Sequence, residues 1–203
     1  MRSEIGSEPA GGGAGPRGAV FFDRDGTLID DEHYLSDPAL VRLRPGAATA
    51  VRAVRAAGLA AVVVTNQSGI GRGLFDEDAY EAVRARLDAL LADEGAPLDA
   101  SYHCPHAPDV GPACDCRKPA PGLFRRAAAE FGLDLVRSAG VGDRVRDLTP
   151  VVALGGYGVL VPSPDTPLAD ITRARDEYAF ATTLDAAVER VLARLAAREA
   201  GDE

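Results

Sequence analysis

The stretch AVFFDRDGTL, residues 19–28, is the most informative segment of this chain. Four apolar residues lead to Asp23, a pattern that indicates a buried strand ending in a carboxylate. Gly26 and Thr27 predict a turn directly after it. Because Asp23 and Asp25 stand two positions apart where the strand ends, a bend between them can bring both carboxylates toward one ligand. One could then serve as nucleophile or metal ligand, and the other as an acid and base.

Short apolar runs alternate with helical stretches along the rest of the chain, which is typical of an α/β fold with a parallel sheet. Further strands are predicted at residues 59–66, 98–103, 138–143 and 157–161. Helices are predicted to begin at Pro45, Asp76 and Pro121, and a last helix over residues 184–199 is expected to pack on the sheet edge. Residues 162–176 are rich in proline and aspartate and predict a loop.

Length and charge limit the functions that fit the chain. Its 203 residues, 46% of them hydrophobic, are enough for one globular domain, expected over residues 19–200. The net charge of −9 argues against binding to nucleic acid or to an anionic membrane. Residues 1–18, rich in glycine and acids, predict a disordered tail. No apolar run is long enough for a membrane span, so we expect a cytoplasmic protein whose thiols stay reduced. We also expect a monomer.

Polar residues stand at the ends of three predicted strands. Asp23 ends the first, Thr65 and Asn66 end the second, and Asp143 ends the fourth. Each alone is explained by a helix cap or a turn. Together they predict a binding crevice, because the carboxyl ends of parallel strands meet at one edge of a sheet. Lys118, on an intervening loop, supplies positive charge there.

The three cysteines of the chain all lie within residues 104–116. Cys104 and His106, with Cys114 and Cys116, supply three thiolates and one imidazole, the ligand set of a closed tetrahedral zinc site. His103 belongs to the predicted strand and is not expected to bind the metal. Arg117 and Lys118 follow at once, so the loop is expected to fix this basic pair in the site.

The segment DRDGTL, residues 23–28, resembles the first motif of the haloacid dehalogenase superfamily of phosphohydrolases. Thr65 after the second strand, Lys118, and the later pattern Gly142-Asp143-x-x-x-Asp147 match the other motifs of that superfamily in order. The resemblance covers residues 19–162 and implies a three-layer, Rossmann-like fold with a parallel sheet. The motif spacing leaves room for sheet elements and loops only, which predicts that no cap domain is present.

This resemblance implies a phosphoryl-transfer mechanism. Asp23 would form an aspartyl-phosphate, and Asp25 would protonate the leaving alkoxide and then activate water. Thr65 and Lys118 would hold the transferring oxygens. Mg²⁺ would be bound by the Asp23 carboxylate, the Asp25 backbone carbonyl and Asp143. Asp147 is expected to orient Lys118.

The zinc loop followed by Arg-Lys-Pro looks like one branch of the superfamily, which holds D-glycero-D-manno-heptose 1,7-bisphosphate 7-phosphatases and histidinol-phosphate phosphatases. Residues 65–73, TNQSGIGRG, resemble the heptose enzymes, since histidinol enzymes typically carry Asp where Ser68 stands. The short gap between His106 and Cys114 is nearer the histidinol enzymes. The heptose family implies a small sugar bisphosphate as substrate, with contacts from Asp31, Glu32, His33, Tyr34, Asn66, Gln67, Ser68, Arg117 and Arg144.

Three other functions remain open from the sequence. Histidinol phosphate is the alternative substrate within the same branch. Related polynucleotide 3′-phosphatases carry a similar TNQ-x-GIGRG run, although the acidic balance and the zinc loop argue against nucleic acid. A non-enzymatic, zinc-stabilised module that binds phosphate is the third, but a phosphate-binding site does not favour the carboxylates of Asp23 and Asp25 at its centre.

Overall fold

Six parallel strands form one sheet in the computed structural model, which describes residues 17–201. The strands are β1 Ala19–Phe22, β2 Ala60–Asn66, β3 Ala100–Cys104, β4 Ala139–Gly142, β5 Tyr157–Leu160 and β6 Ala179–Phe180. Their order is β3-β2-β1-β4-β5-β6. The five predicted strands are confirmed, whereas β6 is too short to give a sequence pattern.

Six α-helices lie between the strands of the described range and a seventh follows the last strand: α1 Ala47–Ala56, α2 Ser68–Gly71, α3 Glu77–Asp93, α4 Gly122–Phe131, α5 Val145–Ala153, α6 Leu168–Glu177 and α7 Leu184–Gly201. A short 3₁₀ helix covers Pro38–Leu40. The predicted helices are confirmed with shifted ends; Asp76, for example, is the N-cap of α3 and accepts a hydrogen bond from Ala79 N at 2.9 Å.

Two expectations about helices were wrong, and one helix was not predicted. The predicted loop over residues 162–176 contains α6, because its prolines end at Pro167 and the following ten residues are free of them. The helix α5 was not predicted, since Pro150 in its interior disguises the helical pattern. The helix α7 packs on a face of the sheet beside α1 and against β5, not on the sheet edge.

Helices cover both faces of the sheet and give the predicted three layers. Val20 and Phe22 of β1 belong to the core under α1, α3 and α7, whereas Ala19 and Phe21 belong to the core under α4. The Phe21 and Phe124 rings lie 5.0 Å apart between their centroids. Because side chains alternate along a strand and both faces of β1 are buried, β1 is continuously apolar, as are the first five residues of β2.

The predicted tail over residues 1–18 falls mostly on residues 1–16, which lie outside the described residues. Its last two residues already belong to the fold. Arg17 forms an isolated bridge with Leu133, and the Gly18 carbonyl accepts a hydrogen bond from Ala60 N at 3.0 Å. In the described range no helix combines the length and the apolar character needed to cross a bilayer, and the segments after β1 and β3 are loops rather than a folded cap.

The strand order reverses at β1, which lies between β2 and β4. After β1 the chain adds β2 and β3 on one side of it, and then crosses back to add β4, β5 and β6 on the other side. Such a switch point opens a crevice beyond the carboxyl ends of the strands, where ligands of α/β sheets bind. The predicted site residues follow these three strands.

Candidate active site

A cleft of about 240 Å³ opens beyond the carboxyl ends of β1, β2 and β4. Its walls combine buried acids with cations, and several loops contribute to them. Twelve of the predicted site residues line it: Asp23, Asp25, Asp31, His33, Tyr34, Thr65, Asn66, Gln67, Ser68, Lys118, Asp143 and Arg144. The structure thus brings together residues from four separate parts of the sequence.

Glu32 and Arg117 do not line the cleft. His33 and Tyr34 adopt positive φ angles of 38° and 61°, and this turn leaves Glu32 exposed beside a neighbouring depression with Arg44. The substrate contacts expected of Glu32 and Arg117 therefore stay predictions. Arg117 is directed to the Cys/His loop, where its Nη1 donates to the His106 carbonyl at 3.1 Å.

The ammonium group of Lys118 is buried between two carboxylates at the base of the cleft. Its Nζ lies 2.8 Å from Asp23 Oδ1 and 2.8 Å from Asp147 Oδ1, and it also donates to the Val64 carbonyl at 2.6 Å. Burial alone lowers the pKa of Lys118, but Asp147 and Asp23 raise it above its ordinary value. The expected contact between Asp147 and Lys118 is present.

Three buried carboxylates, those of Asp23, Asp143 and Asp147, lie together in this region. Burial raises the pKa of Asp23 to about 7, and Asp147 and Asp143 add to the rise while Lys118 opposes it. Burial likewise raises the pKa of Asp143. Lys118 contacts two of these carboxylates, and the third, Asp143, has its Oδ2 3.4 Å from Arg144 Nε. Carboxylate oxygens of Asp23, Asp143 and Asp147 lie within 4.8 Å of one another. A hard divalent cation such as Mg²⁺ fits this donor set.

Asp143 is held from the far side by the loop after β5. Ser163 Oγ donates to Asp143 Oδ2 at 2.7 Å, and Thr166 Oγ1 donates to the Asp143 carbonyl at 3.0 Å. The backbone N–H of Ser163 in turn donates to Thr166 Oγ1 at 2.8 Å. These contacts set the orientation of the carboxylate that faces the cleft.

Asn66 holds the backbone of Lys118. Its Oδ1 accepts from Lys118 N at 3.0 Å, and its Nδ2 donates to the Lys118 carbonyl at 3.1 Å. The residue predicted as a substrate contact therefore also has a structural role, since it connects the end of β2 to the loop that carries the lysine.

Asp25 lies beside Thr65 and Gln67. Gln67 Nε2 donates to Asp25 Oδ2 at 2.9 Å and to Thr65 Oγ1 at 2.8 Å. The buried Arg24 donates to the same carboxylate from the other side. Gln67 is itself almost fully buried, so its side chain holds Asp25 and Thr65 from the protein interior.

The Cys/His cluster assembles as predicted. Cys116 Sγ lies 3.0 Å from Cys104 Sγ and 3.2 Å from His106 Nδ1, and Cys114 Sγ lies 3.7 Å from Cys104 Sγ. All four donor atoms fall within 4.8 Å of one another, as they must around one tetrahedral ion with bonds of about 2.0–2.3 Å. His103 lies apart, with its Nε2 at 2.9 Å from Glu77 Oε2.

Comparison with known proteins agrees with this geometry. A family model described as HAD-hydrolase-like matches residues 115–187. The D-glycero-β-D-manno-heptose-1,7-bisphosphate 7-phosphatase of Yersinia pestis is 40% identical over 149 residues, which cover 70% of this chain and 79% of that protein. The enzyme of the same name from Escherichia coli strain K12 is 40% identical over 160 residues, 75% of this chain and 84% of that protein. The chain belongs to the heptose bisphosphate phosphatase family.

A solved structure of the heptose bisphosphate phosphatase family shares the fold. The D,D-heptose 1,7-bisphosphate phosphatase from B. bronchiseptica, complexed with magnesium and phosphate, superimposes with a TM-score of 0.77 at 32% identity. The match covers 87% of this chain and 99% of that one. The chain is thus a phosphatase built on the haloacid dehalogenase fold.

Sequence reasoning missed four residues of this heptose bisphosphate phosphatase site. Ser163 and Thr166 follow β5, and the rule that identified the other strand ends predicts a role for them as well. The prolines around them favoured a plain loop instead. Arg146, exposed on α5, lines the cleft beside Arg144. Arg24 gave no signal, because a charged residue between two acids is usually solvated.

Proposed function

We propose that the protein is a Mg²⁺-dependent phosphomonoesterase that removes the 7-phosphate of D-glycero-D-manno-heptose 1,7-bisphosphate. The observation that carries the proposal is the buried contact of Asp23 with Lys118 at the base of a cleft also lined by Arg144 and Arg146. A carboxylate nucleophile paired with a fixed cation suits phosphoryl transfer, which needs both an in-line nucleophile and charge neutralisation.

The reaction proceeds in two displacements. The Asp23 carboxylate attacks phosphorus, its new O–P bond forms, and the bond from phosphorus to the C7 oxygen breaks while Asp25 donates a proton to that oxygen. Water then attacks the aspartyl-phosphate, Asp25 accepts its proton, and inorganic phosphate leaves Asp23 free. Lys118 and the Thr65 hydroxyl hold the transferring oxygens.

Two metals are proposed. Asp23, the Asp25 backbone carbonyl and Asp143 would hold Mg²⁺, which neutralises charge between the nucleophile and the phosphate when bound. The magnesium and phosphate in the B. bronchiseptica relative support this. Zn²⁺ on the Cys/His loop would have a structural role, because four protein ligands leave it no open position.

The second phosphate of the substrate is expected to meet arginines near the cleft. Arg144 and Arg146 line it, and Arg146 is close enough to Arg117 to add to the lowering of the Arg117 pKa that burial causes. In a chain of net charge −9, such a local group of cations favours a small anionic substrate over nucleic acid. We further propose that the enzyme acts as a monomer in the reducing cytoplasm, where the free thiols keep their metal.

A phosphate-release panel tests the proposal. The purified protein with Mg²⁺ is given the heptose 1,7-bisphosphate, histidinol phosphate and a 3′-phosphorylated oligonucleotide, with Asp23→Asn as the inactive control. We expect the highest kcat/KM on the bisphosphate. Asp31 lines the cleft and could attract the amine of histidinol phosphate. A higher kcat/KM on that substrate would replace the proposed activity, and release from none of the three would favour a binding module.

A further inference from the structure

Arg24 is a buried cation that the proposed chemistry does not use. It is 2% exposed, although it stands between the two site aspartates. Its Nε donates to both carboxylate oxygens of Asp25 at 3.1 Å, and its Nη2 donates to Asp25 Oδ1 at 2.9 Å. Two nitrogens of the planar guanidinium therefore bind one carboxylate. In this geometry arginine restricts the orientation of a carboxylate most strongly.

Gln67 closes a ring of three side chains around this contact. Arg24 Nη2 donates to Gln67 Oε1 at 3.0 Å, and Gln67 Nε2 donates back to Asp25 Oδ2 at 2.9 Å. Both oxygens of Asp25 are thus engaged from two directions. The centroid of the buried Tyr80 ring lies 5.6 Å from the guanidinium carbon, so Arg24 is supported by the core.

Burying the Arg24 guanidinium lowers the stability of the folded protein unless its contacts offset the loss of hydration, so a purely structural role explains it poorly. Burying a guanidinium is unfavourable unless every donor is paired, and Arg24 Nη1 has no hydrogen-bond partner among residues 17–201. Apolar residues of similar volume commonly replace such a pair without loss of stability. The position of the cation beside Asp25 therefore points to function.

We propose that Arg24, with Gln67, is a positioning residue that holds the Asp25 carboxylate where it exchanges a proton with the leaving oxygen and with the attacking water. The inference rests on the role of Asp25 in the proposed function. A displaced Asp25 slows proton transfer in both displacements, but it leaves the phosphate contacts of Lys118 and Thr65 intact. The loss therefore falls on kcat rather than on KM.

An aryl phosphate separates this role from a general loss of structure. With p-nitrophenyl phosphate the nitrophenolate leaves without a proton, so Asp23 is still phosphorylated when Asp25 is misplaced. The second displacement still needs Asp25 to take the proton of water. Arg24→Met is expected to release a burst of about one nitrophenolate per active site, followed by slow turnover, and to accumulate phosphorylated protein in acid-quenched intact-mass spectra.

The comparison uses wild type, Arg24→Met, Arg24→Lys, Gln67→Met and the exposed-surface control Arg42→Met. On the sugar bisphosphate we expect kcat to fall about ten- to a hundredfold in Arg24→Met, with a smaller loss in Arg24→Lys and KM little changed. Arg24→Lys keeps the charge and tests the idea if Arg24→Met does not fold. Wild-type kcat in both Arg24 variants, or a loss of kcat without burst or phosphorylated protein, overturns the inference. If the wild type hydrolyses the aryl ester but not the sugar bisphosphate, the proposed substrate is refuted, while the aryl ester still tests the role of Arg24.

Discussion

The side chain of Asn66 and the backbone of Lys118 are joined by two hydrogen bonds in opposite directions, at 3.0 and 3.1 Å. Lys118 is therefore attached to the end of β2 as well as to its own loop. Its ammonium group is attached to β2 a second time, through the Val64 carbonyl at 2.6 Å. The position of this charge therefore depends on the sheet.

Replacing Asn66 by alanine is expected to displace Lys118. Two hydrogen bonds of about 0.5–1.5 kcal/mol each are lost, so stability should fall by roughly 1–3 kcal/mol. The value of kcat should fall by about tenfold or more, because a small shift of a positioned cation is costly in phosphoryl transfer. Urea unfolding and steady-state kinetics measure both. Asn66→Asp keeps the acceptor for Lys118 N and should be less damaged in stability; equal kcat in wild type and Asn66→Ala would contradict the role.

Replacing Asp23 by asparagine is expected to abolish turnover, with a loss beyond about a thousandfold, because the amide is a far weaker nucleophile. The fold should persist, since the change also removes a buried charge whose pKa burial has raised to about 7. Phosphate release and circular dichroism test the two parts. The exposed Asp78→Asn on α3 is the control. Substantial turnover by Asp23→Asn would refute the covalent mechanism.

Replacing Ser163 by alanine is expected to weaken the magnesium site. Asp143 loses the hydrogen bond of 2.7 Å that orients its carboxylate. Loss of such an outer contact typically costs about tenfold or more in metal affinity. The Mg²⁺ concentration that gives half-maximal activity should rise accordingly, while kcat at saturating Mg²⁺ recovers. Thr172→Ala, exposed on α6, serves as control. An unchanged Mg²⁺ requirement would remove Asp143 from the proposed ligand set.

Zinc should copurify with the reduced protein at about one ion per chain, as four thiolate and imidazole ligands imply. It should stay bound when Mg²⁺ is exchanged, because oxygen ligands do not compete for it. Replacing Cys114 by serine should reduce both zinc content and stability. Activity should fall too, chiefly through Arg117, which depends on the His106 carbonyl of this loop. Elemental analysis without zinc would refute the site.

Replacing Arg117 by alanine is expected to reduce kcat/KM more for the bisphosphate than for a sugar monophosphate. A charge-assisted contact to the distal phosphate is worth roughly 1.5–3 kcal/mol, or about ten- to a hundredfold. Arg126→Ala, exposed on α4 and paired with Glu130, is the control. If both substrates lose equally, Arg117 contacts the reacting phosphate or acts through structure alone. The same comparison with Arg144→Ala locates the cation that matters most.

The sequence predicted the features for which a short pattern of residues determines where those residues lie in the fold. Apolar runs identified the buried strands, and the rule that parallel strands end at one edge of a sheet placed Asp23, Thr65 and Asp143 in one site. The spacing of cysteines and histidine likewise identified their cluster. In each case the residues that meet are on neighbouring strands or on one loop, so their positions in the sequence predict that they lie close together.

The remaining features depend on contacts that a linear pattern does not contain. Glu32 was expected in the cleft with Asp31, but only Asp31 lines it; both residues line a neighbouring depression, ahead of a turn with positive φ at His33 and Tyr34. Arg24 is drawn inward by Gln67 and Tyr80, which are distant in sequence. Pro150 hid α5 because an isolated proline normally ends a helix.

The place of β1 between β2 and β4 has a consequence for synthesis on the ribosome. Ala19 N donates to Ser138 Oγ across 119 residues, so the second neighbour of β1 emerges long after the first. A nascent chain that has reached only β3 already carries Asp23, yet one edge of the buried strand β1 stays unpaired. Such an edge recruits chaperones or other chains. Insertion of β4 pairs this edge and supplies Asp143 in the same event, so the three-carboxylate cluster of Asp23, Asp143 and Asp147 can form only once the edge of β1 is covered.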